Sequence, residues 1–111
     1  MAEAQTINWT GKSGMQYQYL IYPIGTSFKD VAGNYIYAKQ TQPNMWSPCY
    51  IGQTENLNER LGNHEKEDCA KRKGATHIHV HSNGKGENAR KAEEKDLIIH
   101  WQPPCNEQLV P

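Results

Sequence analysis

The chain has 111 residues, enough for one domain with a modest hydrophobic core. Lysine plus arginine and aspartate plus glutamate each number 12, so binding of a polyanion requires a local basic patch and not bulk charge. No apolar run approaches the ~20 residues that cross a bilayer, and the polar N-terminus lacks a secretory signal. Cys49, Cys69 and Cys105 are widely spaced and odd in number, which indicates free thiols. We therefore expect a cytoplasmic protein with no membrane partner.

The first half of the chain predicts strands. Residues 1–15 are polar and predict a loose arm, while QYQYLIYPIG is rich in tyrosine and predicts a strand that ends at Pro23 and Gly25. Two further strands are predicted in VAGNYIYAKQ and SPCYIGQ, joined by a hairpin loop over TQPNMWSP.

The second half predicts helices and one more strand. Helical signals begin near Asn56 and fade at Gly62, and HEKEDCAKRKG predicts a second short helical segment that Gly74 ends. THIHVH alternates like a strand, and ENARKAEEKDLIIHW predicts an amphipathic helix that ends before Pro103. The predicted fold class is α+β: a small antiparallel sheet of three core strands plus an N-terminal extra strand, flanked by helices.

Strand periodicity predicts which side chains meet. Tyr35 and Tyr37 project to one face of their strand, and pairing with the next strand would bring Tyr50 to the same face. Arg60 and His64 are one helical turn apart, so the helix that follows would present both beside the tyrosines. Gly33 and Gly52 would leave backbone uncovered for a closely approaching ligand.

Six positions resemble, in order, the motifs of the GIY-YIG endonuclease family, which includes homing endonucleases, restriction enzymes and the incision domain of nucleotide excision repair. They are Tyr35 in GNY, Tyr50 in YIG, Arg60, His64, Glu94 and Asn106. The most specific part is EEKDLIIHWQPPCN, which is similar to the family's glutamate-bearing helix followed by proline and asparagine. The resemblance implies an N-terminal arm and extra strand over residues 1–32, a nuclease core over 33–106 and a tail over 107–111.

Two residues depart from the family pattern. Asn34 replaces the central isoleucine of the first motif, and we expect it to perturb packing or to face solvent. Gln53 follows YIG at a position that is often basic in the repair branch, so one phosphate contact of the family has no counterpart.

The resemblance implies a metal-dependent endonuclease that hydrolyses phosphodiester bonds in DNA with Mg²⁺, for which Mn²⁺ can substitute. Glu94 would be the only protein ligand of the metal, and Arg60 would hold the phosphate. Tyr35 or Tyr50 would position water or act as general base, and His64 would relay a proton. Such a site predicts one weakly held metal ion.

The remaining assignments concern support and binding. Asn106 would hold the site together through its amide. Residues expected to contact nucleic acid follow the YIG motif or form the tightest basic cluster: Gly52, Gln53, Lys71, Arg72 and Lys73. The expected partners are DNA and a protein that supplies sequence specificity. The alternative function is a catalytically inactive module of the same fold that binds nucleic acid or protein.

Bland explanations compete with these assignments. Tyrosines in strands usually pack, and Arg60 could form a surface ion pair with Glu59 or Glu67. The alternating His77, His79 and His81 could bind zinc with Cys69, but same-face neighbours on one strand lie ~7 Å apart, so at most two could share an ion. We expect that histidine face to be a polar surface facing solvent or DNA.

Overall fold

The computed structural model describes residues 5–106, so residues 1–4 and the predicted tail over 107–111 lie outside the described residues. Within this range the chain alternates strands and helices in an α+β arrangement. The elements are β1 (Gln5–Thr10), β2 (Gln16–Pro23), β3 (Gly33–Gln42), β4 (Met45–Thr54), α1 (Leu57–Gly62), α2 (Glu67–Arg72), β5 (His77–Ser82) and α3 (Glu87–Trp101). None of the helices in residues 5–106 is long and apolar enough to cross a membrane.

The five strands form one sheet in the order β1-β2-β5-β3-β4, and every neighbouring pair is antiparallel. The sequence predicted four strands, and the missed one is β1. Residues 5–10 were expected in a loose arm, but Gln5 lies opposite Ile21 and Thr10 opposite Gln16, and Trp9 is buried. Alternation of Ile7 and Trp9 with polar residues is the strand signal that the polar composition obscured.

The β3–β4 hairpin is tighter than predicted. The expected loop over TQPNMWSP was wrong, because β3 continues to Gln42 and β4 begins at Met45. Only Pro43 and Asn44 lie between the strands, and Asn44 adopts a φ of 64°. Asparagine tolerates this left-handed conformation better than most residues.

Helices cover both faces of the sheet. The site face carries Tyr35, Tyr37 and Val80, which pack with Leu57 of α1 and Ala70 of α2. The opposite side of the sheet, which we call the α3 face, carries a second core. Its residues come from strands β1 to β4 and from α3: Trp9, Tyr19, Ile36, Ala38, Ile51, Leu97 and Ile98. Tyr35 and Tyr37 therefore lie on one face of β3, as predicted, and Ile36 lies on the other.

Helix α3 buries charged as well as apolar side chains. Its buried residues are Arg90, Glu93, Leu97 and Ile98; the first three recur at intervals of three and four residues, and Ile98 adjoins Leu97. The helix ends where Gln102 turns left-handed with a φ of 47°, and Pro103 follows. Its predicted extent is thus confirmed, although half of its buried stripe is polar.

The expectation of three free thiols was wrong. Cys69 of α2 and Cys105 form a disulfide with Cα atoms 6.0 Å apart, and Cys49 is a buried free thiol. Sequence spacing could not reveal this pair because 36 residues separate the two cysteines and only the fold brings them together. The disulfide ties α2 to the segment that follows α3.

Candidate functional site

Two tyrosines form the centre of the site. The rings of Tyr35 and Tyr50, on adjacent strands, stack with centroids 6.2 Å apart and an interplanar angle of 28°. Tyr35 lies opposite Gly52, and a Cβ atom at position 52 would come within 2.5 Å of the Tyr35 Oη atom. At Gly33, the His81 carbonyl and Leu57 occupy the corresponding space. Both glycines therefore make room for the protein's own atoms, and the prediction of uncovered backbone was wrong.

His64 contacts Tyr35 but does not lie on the helix with Arg60. Helix α1 ends at Gly62, so His64 lies in the segment before α2 and not on a shared helix face. Its Nε2 atom lies 2.6 Å from Tyr35 Oη, and its Nδ1 atom accepts a hydrogen bond from the Lys66 backbone N–H. A neutral ring that accepts at Nδ1 carries its hydrogen on Nε2. His64 therefore donates to the Tyr35 phenol oxygen.

The charge state of His64 follows from its burial. Desolvation, followed by the nearby Arg60 guanidinium, lowers the pKa of His64 to about 4. The ring is therefore neutral near pH 7. This argues against the proton relay predicted for His64 and in favour of a fixed hydrogen-bond donor.

Arg60 connects the buried tyrosines to the surface. It is partly exposed at the end of α1 and forms two hydrogen bonds with Glu65, at 2.6 and 2.8 Å. The partner is therefore Glu65, and not Glu59 or Glu67, which the alternative explanation of Arg60 as a surface ion pair had named. The hydrogen bond to Glu65 raises the pKa of Arg60, and the guanidinium in turn favours ionisation of both Tyr35 and Tyr50.

The phenols remain neutral in the protein alone. Burial raises the pKa of Tyr35, which is 1% exposed, and this outweighs the opposing effect of Arg60. Burial also raises the pKa of Tyr50, and the Glu94 carboxylate is the next cause. Tyr50 is therefore subject to two opposing charges, the Arg60 guanidinium, which favours its ionisation, and the Glu94 carboxylate, which opposes it.

Glu94 reaches the site from α3. Burial raises the pKa of its carboxyl, against the opposing effects of the Gln53 backbone N–H and the Lys91 ammonium. Among residues 5–106 it has no ion-pair partner within 4.0 Å. A bound divalent cation would favour the charged form of this desolvated carboxyl group. A single oxygen ligand from the protein suits Mg²⁺, which keeps most of its waters. The same residues contain no group of three or more His, Cys, Asp or Glu side chains placed to hold an ion.

Asn106 holds the outer edge of β4. Its amide accepts from the Ile51 N–H and donates to the Ile51 carbonyl, both at 2.8 Å. The Cys105 N–H also donates to the Cys49 carbonyl at 3.0 Å, so this segment pairs with the strand. Since Ile51 lies between Tyr50 and Gly52, Asn106 fixes the backbone that carries them and stays out of contact with the phenols.

The two residues that depart from the motifs of the GIY-YIG family, Asn34 and the half-buried Gln53, belong to one polar network. Asn34 is fully buried, and its Nδ2 donates to the Arg90 carbonyl at 2.9 Å. The expectation that it perturbs packing or faces solvent was therefore wrong. Gln53 accepts from Arg90 Nε at 3.1 Å, which occupies the side-chain oxygen that was expected to contact nucleic acid. Arg90 was missed because a charged residue on an amphipathic helix is normally exposed.

The histidine face is not a polar surface open to solvent. His79 is 0% exposed, accepts a hydrogen bond from Trp9 Nε1 at 3.0 Å, and lies against Trp46. His81 Nδ1 lies 2.9 Å from the buried Glu93 carboxylate. The strand turns this face towards α3, so these rings serve the second core.

The predicted basic cluster is exposed, and one of its members is paired with a carboxylate. Lys71, Arg72 and Lys73 are exposed around the end of α2, and Lys71 forms an ion pair with Glu67 at 3.4 Å. The groove beside Arg60 is lined by Glu55, Glu59 and polar residues. The lining of this groove therefore carries more acidic than basic side chains.

No family model matches the chain, and no curated protein or solved structure matches it. The functional argument therefore depends on the chain's own geometry. That geometry gathers Tyr35, Tyr50, Arg60 and His64 on the site face, with Glu94 at the edge of β4.

Proposed function

We propose that the protein is a GIY-YIG-type endonuclease that hydrolyses phosphodiester bonds in DNA with the help of Mg²⁺ or Mn²⁺. One observation carries the proposal: His64 donates to the buried phenol of Tyr35, which stacks on Tyr50. The charges of Arg60 and Glu94 both act on Tyr50, and packing of two tyrosines does not by itself require either charge.

Tyr35 is the proposed general base. Because its oxygen accepts the His64 Nε2 hydrogen, its own hydrogen is available to a water molecule or phosphate oxygen. Once that hydrogen has passed to solvent, the His64 N–H and the Arg60 guanidinium would stabilise the phenolate. The phenolate would then take a proton from the attacking water as the water oxygen bonds to phosphorus and the bond from phosphorus to the leaving oxygen breaks. His64 thus supports the base without changing charge.

Arg60 is the proposed phosphate ligand, and Tyr50 positions the phosphate beside it. The guanidinium has planar donors that match phosphate oxygens, where negative charge develops during hydrolysis. Glu65 now holds those donors, but it is an exposed partner, so exchange for phosphate has a small cost. Glu94 would hold the metal ion, which when bound would neutralise charge on the phosphate and the departing oxygen.

A non-catalytic module is the second candidate, and specific observations favour it. Tyr35 is 1% exposed, burial raises the pKa of both phenols, and acidic residues line the groove beside Arg60. In this case the exposed Lys71, Arg72 and Lys73 would bind nucleic acid phosphates or an acidic protein. The specificity-giving protein partner belongs to either proposal.

A nicking assay tests the nuclease. Supercoiled plasmid and branched DNA would be incubated at low salt with Mg²⁺ or Mn²⁺, using wild type, Glu94→Gln and Tyr35→Phe. We expect metal-dependent nicking that falls by about 100-fold or more in both variants. Glu87→Gln is the matched control, because Glu87 is an exposed glutamate on the same helix.

The outcomes separate the candidates. Cleavage that persists in Glu94→Gln would contradict the assigned metal ligand. Absence of cleavage with every substrate, together with salt-dependent retardation of DNA on a gel, would favour the non-catalytic module.

A further inference from the structure

A buried polar network on the α3 face joins the strands beneath the candidate site. Arg90 donates from Nε to the Gln53 side chain at 3.1 Å and from Nη1 to the Asn83 carbonyl at 3.3 Å. Asn34 donates to the Arg90 carbonyl at 2.9 Å, and Asn83 donates to Asn34 at 3.2 Å. One guanidinium thus connects β4, the β5–α3 loop and α3, and its backbone connects to β3.

Arg90 is unusual for a residue that only stabilises a core. It is 5% exposed, and among residues 5–106 no carboxylate lies within 4.0 Å of its guanidinium. Glu93 supplies the opposite buried charge one turn away, but Asn83 bridges the two residues. Burial of a charge has a cost that an apolar side chain of similar volume avoids, which points to a geometric role for the guanidinium.

The position of Gln53 shows what that role could be. Gln53 immediately follows Gly52, and its backbone N–H favours the charged form of the Glu94 carboxyl. Its side chain is bound to Arg90. Arg90 therefore holds the side chain of the residue that follows Gly52, and it does so from α3, one helical turn before Glu94.

We propose that Arg90 is a positioning residue that, through Gln53, sets the β4 backbone relative to Glu94. The inference rests on the proposed nuclease function. A guanidinium holds two acceptors on different elements in one plane, which the single ammonium of lysine does not reproduce. Direct phosphate binding by Arg90 is disfavoured, because the side chain is buried and two of its nitrogens are engaged.

Steady-state kinetics of DNA cleavage test the inference. In Arg90→Lys and Gln53→Ala we expect kcat to fall by about 10- to 100-fold, as for other outer-shell contacts, with KM within about twofold of wild type. Gln53→Ala leaves the buried Arg90 Nε without its acceptor, so the stability of each variant is measured by urea denaturation beside the kinetics. Gln40→Ala is the matched control because Gln40 is an exposed strand glutamine, and it should keep wild-type kcat.

Amide hydrogen exchange followed by NMR gives a readout independent of cleavage. We expect exchange of the backbone amide at position 53 to accelerate about tenfold or more in both Arg90→Lys and Gln53→Ala. Exchange of the Ile51 amide, which is bound to Asn106, should change less. If the wild type does not cleave DNA, the proposed function fails, and the exchange result still decides whether Arg90 positions Gln53.

Two results would overturn the inference. A rise in KM at unchanged kcat in Arg90→Lys would assign Arg90 to substrate binding. Loss of stability in Arg90→Lys with unchanged kcat and unchanged Gln53 exchange would assign it to the fold alone.

Discussion

The two faces of the sheet each bury a histidine, but they use it differently. On the site face, His64 engages both ring nitrogens, with Tyr35 and the Lys66 backbone. On the α3 face, His79 engages Nδ1 with Trp9, whereas its Nε2 has no partner among the described residues. Burial lowers the pKa of His64 to about 4 and of His79 to about 3. The faces therefore differ in the partners of the ring and not in its charge.

The same contrast holds for the surrounding polar groups. On the site face they lead outward, from Tyr35 to the partly exposed Arg60. On the α3 face they lead inward. Glu93 accepts hydrogen bonds from Tyr19 Oη, at 2.6 Å, and from the Asn83 amide. Arg90 donates to neutral oxygens of Gln53 and Asn83. A buried polar group favours a functional role when its partners connect it to a solvent-accessible charge. It favours a structural role when its partners bind only to one another.

The disulfide gives the largest expected effect, because it cross-links α2 of the site face to the segment that follows α3. Replacing Cys69 and Cys105 by serine should lower the free energy of unfolding by about 2–4 kcal/mol, since the cross-link restricts the unfolded chain. Urea denaturation with and without a thiol reductant measures it. Wild type should lose stability on reduction, and the double variant should not respond.

Cys49→Ala is the control for the disulfide. Cys49 is a free thiol, so this variant should keep its response to the reductant despite the cavity it creates. Thiol titration of the denatured wild type should find one reactive cysteine per chain. Three would contradict the disulfide and return the site face to noncovalent packing.

Gly52→Ala should break the site face while sparing the α3 face. The new methyl group would come within 2.5 Å of Tyr35 Oη, so the ring must move away from His64. We expect a loss of DNA cleavage of about 100-fold and of stability of about 1–3 kcal/mol. Gly84→Ala is the matched control, because a Cβ there meets nothing within 4 Å.

A crystal structure of Gly52→Ala would check the cause. The Tyr35–His64 contact should be lost while the Trp9–His79 contact persists. Wild-type cleavage by a folded Gly52→Ala protein would show that the position of Tyr35 is not critical, and would remove it as the general base.

Local sequence signals predicted the site face better than the α3 face. Strand alternation placed Tyr35 and Tyr50 together, and helix punctuation gave the extent of α3. The network of Arg90 and Asn34 escaped prediction because burial of charged and amide groups depends on partners distant in sequence, such as Gln53. Long-range pairing likewise decided the places of β1 and of the disulfide. The alternation of Ile7 and Trp9 does not say which strand β1 pairs with, and no local pattern joins Cys69 to Cys105.

Acid should destabilise both faces through their histidines. In each case the folded-state pKa is lower than the ordinary value near 6.5, so the unfolded chain binds the proton first as the pH falls. Stability should be constant above pH ~7 and decline below pH ~6.5, by up to about 1.4 kcal/mol per pH unit for each ring. The loss ends near pH 4 for His64 and near pH 3 for His79.

Urea denaturation between pH 4 and 8 would separate the two contributions. His64→Gln and His79→Gln should each remove one histidine's share of the slope, although each variant is less stable at pH 7. A slope that neither variant changes would show that the acid sensitivity arises elsewhere, and that the buried rings do not gain protons on unfolding.

Glu65→Gln should have the smallest effect, because Glu65 is exposed and contacts the site face through Arg60. The exposed carboxylate holds two Arg60 nitrogens, at 2.6 and 2.8 Å, and as an exposed ion pair it contributes little to stability. Its removal should free Arg60 for phosphate and lower KM for DNA about two- to fivefold, with kcat nearly unchanged. Glu87→Gln breaks an equally exposed ion pair, with Lys91, and should leave KM as it is. A higher KM in Glu65→Gln would mean that Glu65 orients Arg60 for the substrate and does not compete with it.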